Sequence, residues 1–233
     1  MSTALEPRYI IETADRLRRR IEERFPASGL LKVADAVLRL AREADERSAL
    51  IARPYILLRV AAWVLGGTLA VGLVAAFLRV RVPGSVGNIA ELLQGAEAAA
   101  NLTLLLGAGI FSVLKLEETL RRKKALVLVH ELKALAHVVD MHQLTKDPET
   151  VAGGATRTES SPKRTLTPFE LGRYLDYSSE LLSVLGKIAA VYAQRVQDPV
   201  VLEAVDGAED LTTGLSRKIW QKIAILSDRA ARG

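Results

Sequence analysis

The chain's three histidines fall within thirteen residues, at His130, His137 and His142. Imidazole nitrogens and carboxylates are the usual donors to zinc or a non-haem metal. Glu131 and Asp140 lie in the same run, so His130, His137 and Asp140 are the residues from which a metal site could be assembled. The spacing is against a simple site. Residues seven apart on a helix share a face but stand about 10 Å apart along the axis. One ion could reach both rings only with a donor from another helix, whereas familiar helical pairs use i,i+3 or i,i+4. His142 falls off that face, and Ala134 stands where an H-E-x-x-H motif needs its second histidine. The simpler expectation is that these histidines hydrogen-bond at a helix–helix contact. A pH switch would also use clustered histidines, but only their number speaks for it.

No other constellation carries chemistry. Asp176 and Glu180 are four apart on one helix, and Glu209 and Asp210 begin another; such carboxylates are usually solvated faces. The chain has no P-loop, no G-x-G-x-x-G and no G-x-S-x-G. It has no cysteine, hence no disulfide framework and no thiolate metal site. No catalytic residue and no cofactor is expected.

The elements that would position these residues are governed by two apolar blocks. Val60–Leu78 is uncharged, close to the roughly 20 residues that cross about 30 Å of hydrocarbon. Pro54 suits its first turn, Arg59 could snorkel toward headgroups, and Trp63 lies where an interfacial aromatic would. Ala98–Leu114 is the second uncharged block; its Asn101 and Thr103 could hydrogen-bond across a helix pair. Between the blocks, Pro83, Gly84 and Gly87 mark a turn too short to hold a domain. The competing reading is a buried hairpin in a soluble bundle. A soluble core helix usually keeps one polar face, and Val60–Leu78 has none.

Orientation follows from the cations at the span ends. Arg39, Arg42, Arg47 and Arg53 precede the first span, and Lys115 with Arg121, Arg122, Lys123 and Lys124 follows the second. The connecting turn carries only Arg79 and Arg81, so both termini are expected in the cytoplasm. The first 25 residues lack the apolar core and cleavage site of a signal peptide. The net charge of +5 then finds its simplest partner in lipid headgroups, and nucleic acid is not expected.

The remaining segments read as helix. Ile10, Ala14, Leu17, Ile21 and Phe25 recur at three or four residues within 7–25. A second helix is expected at about 29–52. The second span should run on without proline or glycine to Leu144, ending before Pro148. Residues 149–166 are rich in Gly, Ser, Thr and Glu and read as a tether. Thr167-Pro168-Phe169-Glu170 spells a capping box with proline at the first helical position. A short helix is expected from Pro199 and a separate last one at about 208–229. Arg18–Arg20 reads as a solvated face balanced by Glu22 and Glu23.

The expected fold is all-α: a two-span transmembrane hairpin with cytoplasmic amphipathic helices forming a small bundle. Its parts are 1–53, the hairpin at 54–116 (spans about 55–78 and 90–114), a cytoplasmic continuation at 117–146, a linker at 147–166, and a helical segment at 167–233. The expected function is non-enzymatic. The hairpin would anchor a helical module at the cell membrane, and that module would self-associate or bind a membrane partner. Small residues at Gly66, Gly67, Ala70, Gly72, Gly107 and Gly109 would allow close helix approach in a homo-oligomer. One alternative is an oligomeric pore, for which only Thr68, Asn101, Thr103 and Ser112 could line a path. The other is a metal-dependent enzyme at His130 and His137.

Overall fold

The computed structural model describes residues 5–79, 89–146 and 166–232, together with Pro148 and Glu159. The expected turn around Pro83 and Gly84 and nearly all of the 147–166 linker lie outside these residues. Helix accounts for 91% of the structure and no strand occurs among the described residues, so the fold is all-α. The helices are α1 (Pro7–Arg24), α2 (Gly29–Ala52), α3 (Ile56–Arg79), α4 (Ile89–Leu144), α5 (Pro168–Arg195) and α6 (Pro199–Arg232). They divide between two compact units, Met1–Ala52 with Arg122–Gly233, and Arg53–Arg121.

The first unit is a bundle of α1, α2, the Arg122–Leu144 part of α4, α5 and α6. Its core follows the expected periodicities. Ile10, Ala14, Leu17 and Ile21 of α1 are buried, as are Leu30, Val33 and Val37 of α2 and Leu128, Leu132, Ala136 and Val139 of α4. Leu171, Leu175, Leu182, Leu185 and Ile188 of α5 meet Val201, Val205 and Ile219 of α6 in the same cluster. Helices this amphipathic are marginal alone; here each covers the others' apolar faces.

Helix ends are secured by side chains. Thr167 Oγ1 accepts the Glu170 N–H at 3.2 Å, and Glu170 Oε2 accepts the Thr167 N–H at 2.8 Å, closing the expected capping box. These bonds from Thr167 hold the Glu170 carboxyl below the usual carboxylate range. Ser28 Oγ accepts the Leu31 N–H at 3.1 Å and caps α2. Ala27, just before it, takes φ 59°, a left-handed backbone that suits glycine better.

One helix replaces the two expected at the C-terminus. Pro199–Arg232 is continuous through Gly207. Glycine inside a helix costs about 1 kcal/mol relative to alanine. Buried Val205 and Ala208 on either side hold the segment on the core, and a Cβ at Gly207 would come within 3.0 Å of Lys133 Nζ.

The second unit holds α3 and the N-terminal part of α4. Among the described residues two helices, one carrying each apolar block, are long and apolar enough to cross a membrane, and no described residue buries their apolar stretches.

Candidate functional site

The sequence points to two places, the histidine run and the apolar helices. On α4, His130 and His137 are exposed. Asp140 is engaged elsewhere: its Oδ1 accepts Gln143 Nε2 at 2.5 Å. Gln143 is itself buried and takes Lys222 Nζ of α6 on its Oε1 at 2.7 Å and on its backbone carbonyl at 3.1 Å. This lysine satisfies carbonyl groups that the end of α4 leaves without helical partners. His142 turns to the start of α2, where its ring sits so close that a Cβ on Gly29 would overlap it. Around it lie Phe25, Ser28, Met141, Lys146 and Tyr174. Among the described residues no three histidine or carboxylate side chains could hold a metal ion together.

A cationic–aromatic cluster joins α1 to α5. Arg20 forks onto Glu180, with Nη1 2.8 Å from Oε2 and Nη2 3.4 Å from Oε1. The Arg20 and Arg173 guanidiniums each lie 5.0 Å from the centre of the Tyr177 ring. Burial pushes the Tyr177 phenol up, but the hydrogen bond from Arg173 and the charges of Arg173 and Arg20 outweigh it and leave the group below its ordinary value. Phe25 meets Tyr174 and Tyr177 edge-on, with centroids 5.4 and 6.2 Å away. Both arginines have carboxylate partners, Glu180 and Asp176. The cluster therefore reads as a structural joint between helices.

In the apolar unit the large side chains of α3 face outward. Leu57, Trp63, Val64, Leu65, Val71 and Val74 are exposed, as are Leu104, Leu105, Phe111 and Leu114 of α4. A soluble monomer rarely exposes a contiguous apolar patch beyond a few hundred Å². At the base of this surface stands Glu117, only 4% exposed. Its carboxylate accepts Arg59 Nε at 3.0 Å and Arg59 Nη2 at 3.2 Å, Arg121 Nη2 at 2.9 Å, and the Tyr55 N–H at 3.4 Å. Arg59 is thus forked onto a carboxylate of α4 rather than simply snorkelling. A buried carboxylate needs such partners, because desolvation without them is expensive.

Glu117 has no counterpart among the residues singled out from the sequence, and Asp198-Pro199, expected as a helix start, does more than begin a helix. Asp198 Oδ1 accepts the N–H groups of Val200 and Val201 at 3.0 and 3.2 Å, while Oδ2 accepts Arg122 Nε at 2.9 Å. It caps α6 and ties it to α4 at once. The legible signal for Asp198 was its place before Pro199. For Glu117 it was an acidic residue within a basic collar, facing an arginine placed inside an apolar block.

Of the small residues in the apolar helices, Gly66 lies against α4: a Cβ there would be 3.6 Å from Ile110 Cδ1. Gly67, Gly72, Gly107 and Gly109 have open space at the same position. The hydroxyls of Thr68, Thr103 and Ser112 each donate to the carbonyl four residues back in their own helix, at 2.8 Å.

No protein-family model matches the chain, and no curated protein or solved structure does either.

Proposed function

We propose that the chain is a two-span membrane anchor carrying a cytoplasmic helical bundle, and that the bundle docks a second copy or a protein partner at the membrane. The observation that carries this reading is the apolar surface of α3 and α4, which none of the described residues buries. Hydrocarbon is the environment in which such side chains cost nothing, and a helix satisfies its own backbone there.

Two contacts support a hairpin. Arg59 meets Glu117, and two turns further along α3 Gly66 meets Ile110, two turns back along α4. Contacts that step in opposite directions are what antiparallel helices make. The cation bias at the span ends supports cytoplasmic termini. The hydroxyl protons committed inside their own helices support a packed anchor over a water-filled path.

The docking half of the reading rests on the apolar side chains that the bundle leaves outside, among them Phe169 and Trp220. The amphipathic faces themselves are already used up in the core.

Reporter fusions at residue 85 and at both termini test the anchor. External signal at 85 with cytoplasmic signal at the termini is expected. Cytoplasmic signal at all three, with protein in the soluble fraction, overturns it. Lysine-reactive cross-linking in native membranes tests docking: a discrete adduct is expected, and a monomer alone overturns that half.

A further inference from the structure

The last helix, α6, carries its charge in two blocks. Residues 199–210 hold Glu203, Asp206, Glu209 and Asp210 and no lysine or arginine, a net charge of −4. Residues 211–232 hold Arg217, Lys218, Lys222, Arg229 and Arg232 against Asp228 alone, a net charge of +4. Glu203, Asp206, Asp210, Thr213, Arg217 and Trp220 recur every three or four residues and are all exposed, so they form one outward stripe. Trp220 is 57% exposed, and Leu202 at the stripe's other end is 38% exposed.

Helix stability alone does not account for the blocks. Acids in a first turn and bases in a last turn complement the macrodipole, but that effect fades within one turn. Asp206 and Asp210 lie about two and three turns past Pro199, and Arg217 about four turns before Arg232. None of these three has an ion-pair partner among the described residues. Lys133 Nζ, which a Cβ at Gly207 would approach to 3.0 Å, stands at the flank of the acidic half and makes no ion pair with it.

Such a face is complementary to itself when turned end for end. A two-fold axis crossing α6 between Leu211 and Thr212 sets Arg217 of each copy opposite Asp206 of the other, and Trp220 against Leu202. Parallel pairing in register would set Asp206 on Asp206 and Arg217 on Arg217, which repel. A two-fold contact uses the same patch on both copies, so it needs a self-complementary surface. We infer that α6 pairs antiparallel with α6 of a second copy through this stripe. The inference rests on the docking reading above and gives it a partner and a surface. One helix face is small, so the pairing is reversible rather than obligate.

The pairing also sets where the anchors attach. Arg122 is the first bundle residue after the apolar unit, and its ion pair with Asp198 holds the start of α6 beside that point. Lys222, further along α6, meets Gln143 near the other end of α4. Within the bundle the two helices therefore run in the same direction. Antiparallel α6 helices put the two attachment points at opposite ends of the pair, so the two copies are rooted in facing membranes.

The chain has no cysteine, so single cysteines introduced into the full chain report pairing without background. Across the antiparallel pair the two Thr213 residues stand about 5 Å apart along the axis, and the two Ser227 residues about 45 Å. In phosphatidylcholine proteoliposomes a short bis-maleimide is expected to join Thr213→Cys into a dimer and to leave Ser227→Cys monomeric. The vesicles are expected to cluster, read by light scattering. Arg217→Glu and Asp206→Lys should each weaken the dimer about tenfold, since each reverses two exposed ion pairs. Mixing the two variants should restore it, because each then meets the opposite charge. All four positions are exposed, so the thermal melts should match the wild type. A Ser227→Cys adduct shows parallel pairing and overturns the inference, as does a mixture no better than either variant alone. A lysine cross-linked dimer without a Thr213→Cys adduct places docking on another surface and overturns this inference only. A monomer in every experiment overturns the docking reading with it. A Thr213→Cys adduct in vesicles that stay apart overturns the facing membranes.

Discussion

Arg59 and Glu117 form a forked ion pair, Nε on Oε2 at 3.0 Å and Nη2 on Oε1 at 3.2 Å, linking the start of α3 to α4 just beyond its apolar stretch. A fork of this kind fixes orientation as well as distance. Arg121 and the Tyr55 N–H fill the carboxylate's remaining acceptor sites. One buried carboxylate thus decides where α3 begins its path beside α4.

Removing Glu117 should therefore loosen the helix pair. Breaking a fully buried pair costs about 3–5 kcal/mol. Arg59 is half exposed and can find solvent or a headgroup, so Glu117→Ala should cost roughly 2 kcal/mol. The charge-swapped Arg59→Glu/Glu117→Arg protein should recover part of it. Thermal unfolding in detergent is the measurement, and a double variant no better than the singles would refute the pairing.

The bundle should be intolerant of charge at its centre. Leu182 and Ile219 are fully buried in one cluster with α1, α2 and α4. An unpaired carboxylate there costs several kcal/mol, comparable to the whole stability of a domain. Leu182→Asp or Ile219→Asp should abolish the cooperative melt followed by circular dichroism. Trp220→Asp, next along the chain but exposed, should leave it within a few degrees. Equal effects at 219 and 220 would mean that α6 does not pack as described.

These contrasts mark what the sequence could and could not convey. The period of Ile10, Ala14, Leu17 and Ile21 gives a helix and its buried face, and Thr167-Pro168-Phe169-Glu170 gives a helix start with its hydrogen bonds. Both are local patterns, readable without knowing what lies across the gap. Glu117, Asp198 and Lys222 are different. Each is one of many charges in a charged chain, and its role is set by a partner on another helix, Arg59, Arg122 or Gln143. The histidine run shows the same limit in reverse. Spacing places His130, His137 and His142 near one another, but Gly29 is what His142 touches. The break expected within 199–208 failed because Gly207 is a weak breaker when both neighbouring turns are packed.

The His142–Gly29 contact makes a sharp double-mutant case. A Cβ on Gly29 would overlap the imidazole, and the ring is the end of a side chain that can swing away. Gly29→Ala should cost about 1 kcal/mol, less than a clash with backbone would. In a His142→Ala background the same change should be neutral or stabilising, since alanine favours helix over glycine by about that amount. Identical effects in both backgrounds would show that the ring does not lie over Gly29.

The tyrosines offer a titration that reads the core directly. Burial pushes Tyr174 up to about 12 and Tyr192 up to about 12, from an ordinary value near 10. Tyr177 moves the other way, because Arg173 and Arg20 more than offset its burial. A group raised on folding stabilises the native state fully below its unfolded value and ceases to do so as pH climbs through its folded one. The bundle should thus lose stability between about pH 10 and pH 12, when the unfolded chain would ionise Tyr174 and Tyr192 and the native one resists. Tyrosinate absorbance should rise first with Tyr177 among the contributors, and late with the two buried rings, together with unfolding. Tyr177→Phe should remove amplitude from the early phase, and Tyr192→Phe from the late one. Early loss in the Tyr192→Phe protein would place that ring in solvent and contradict the packing of α5 against the rest of the bundle.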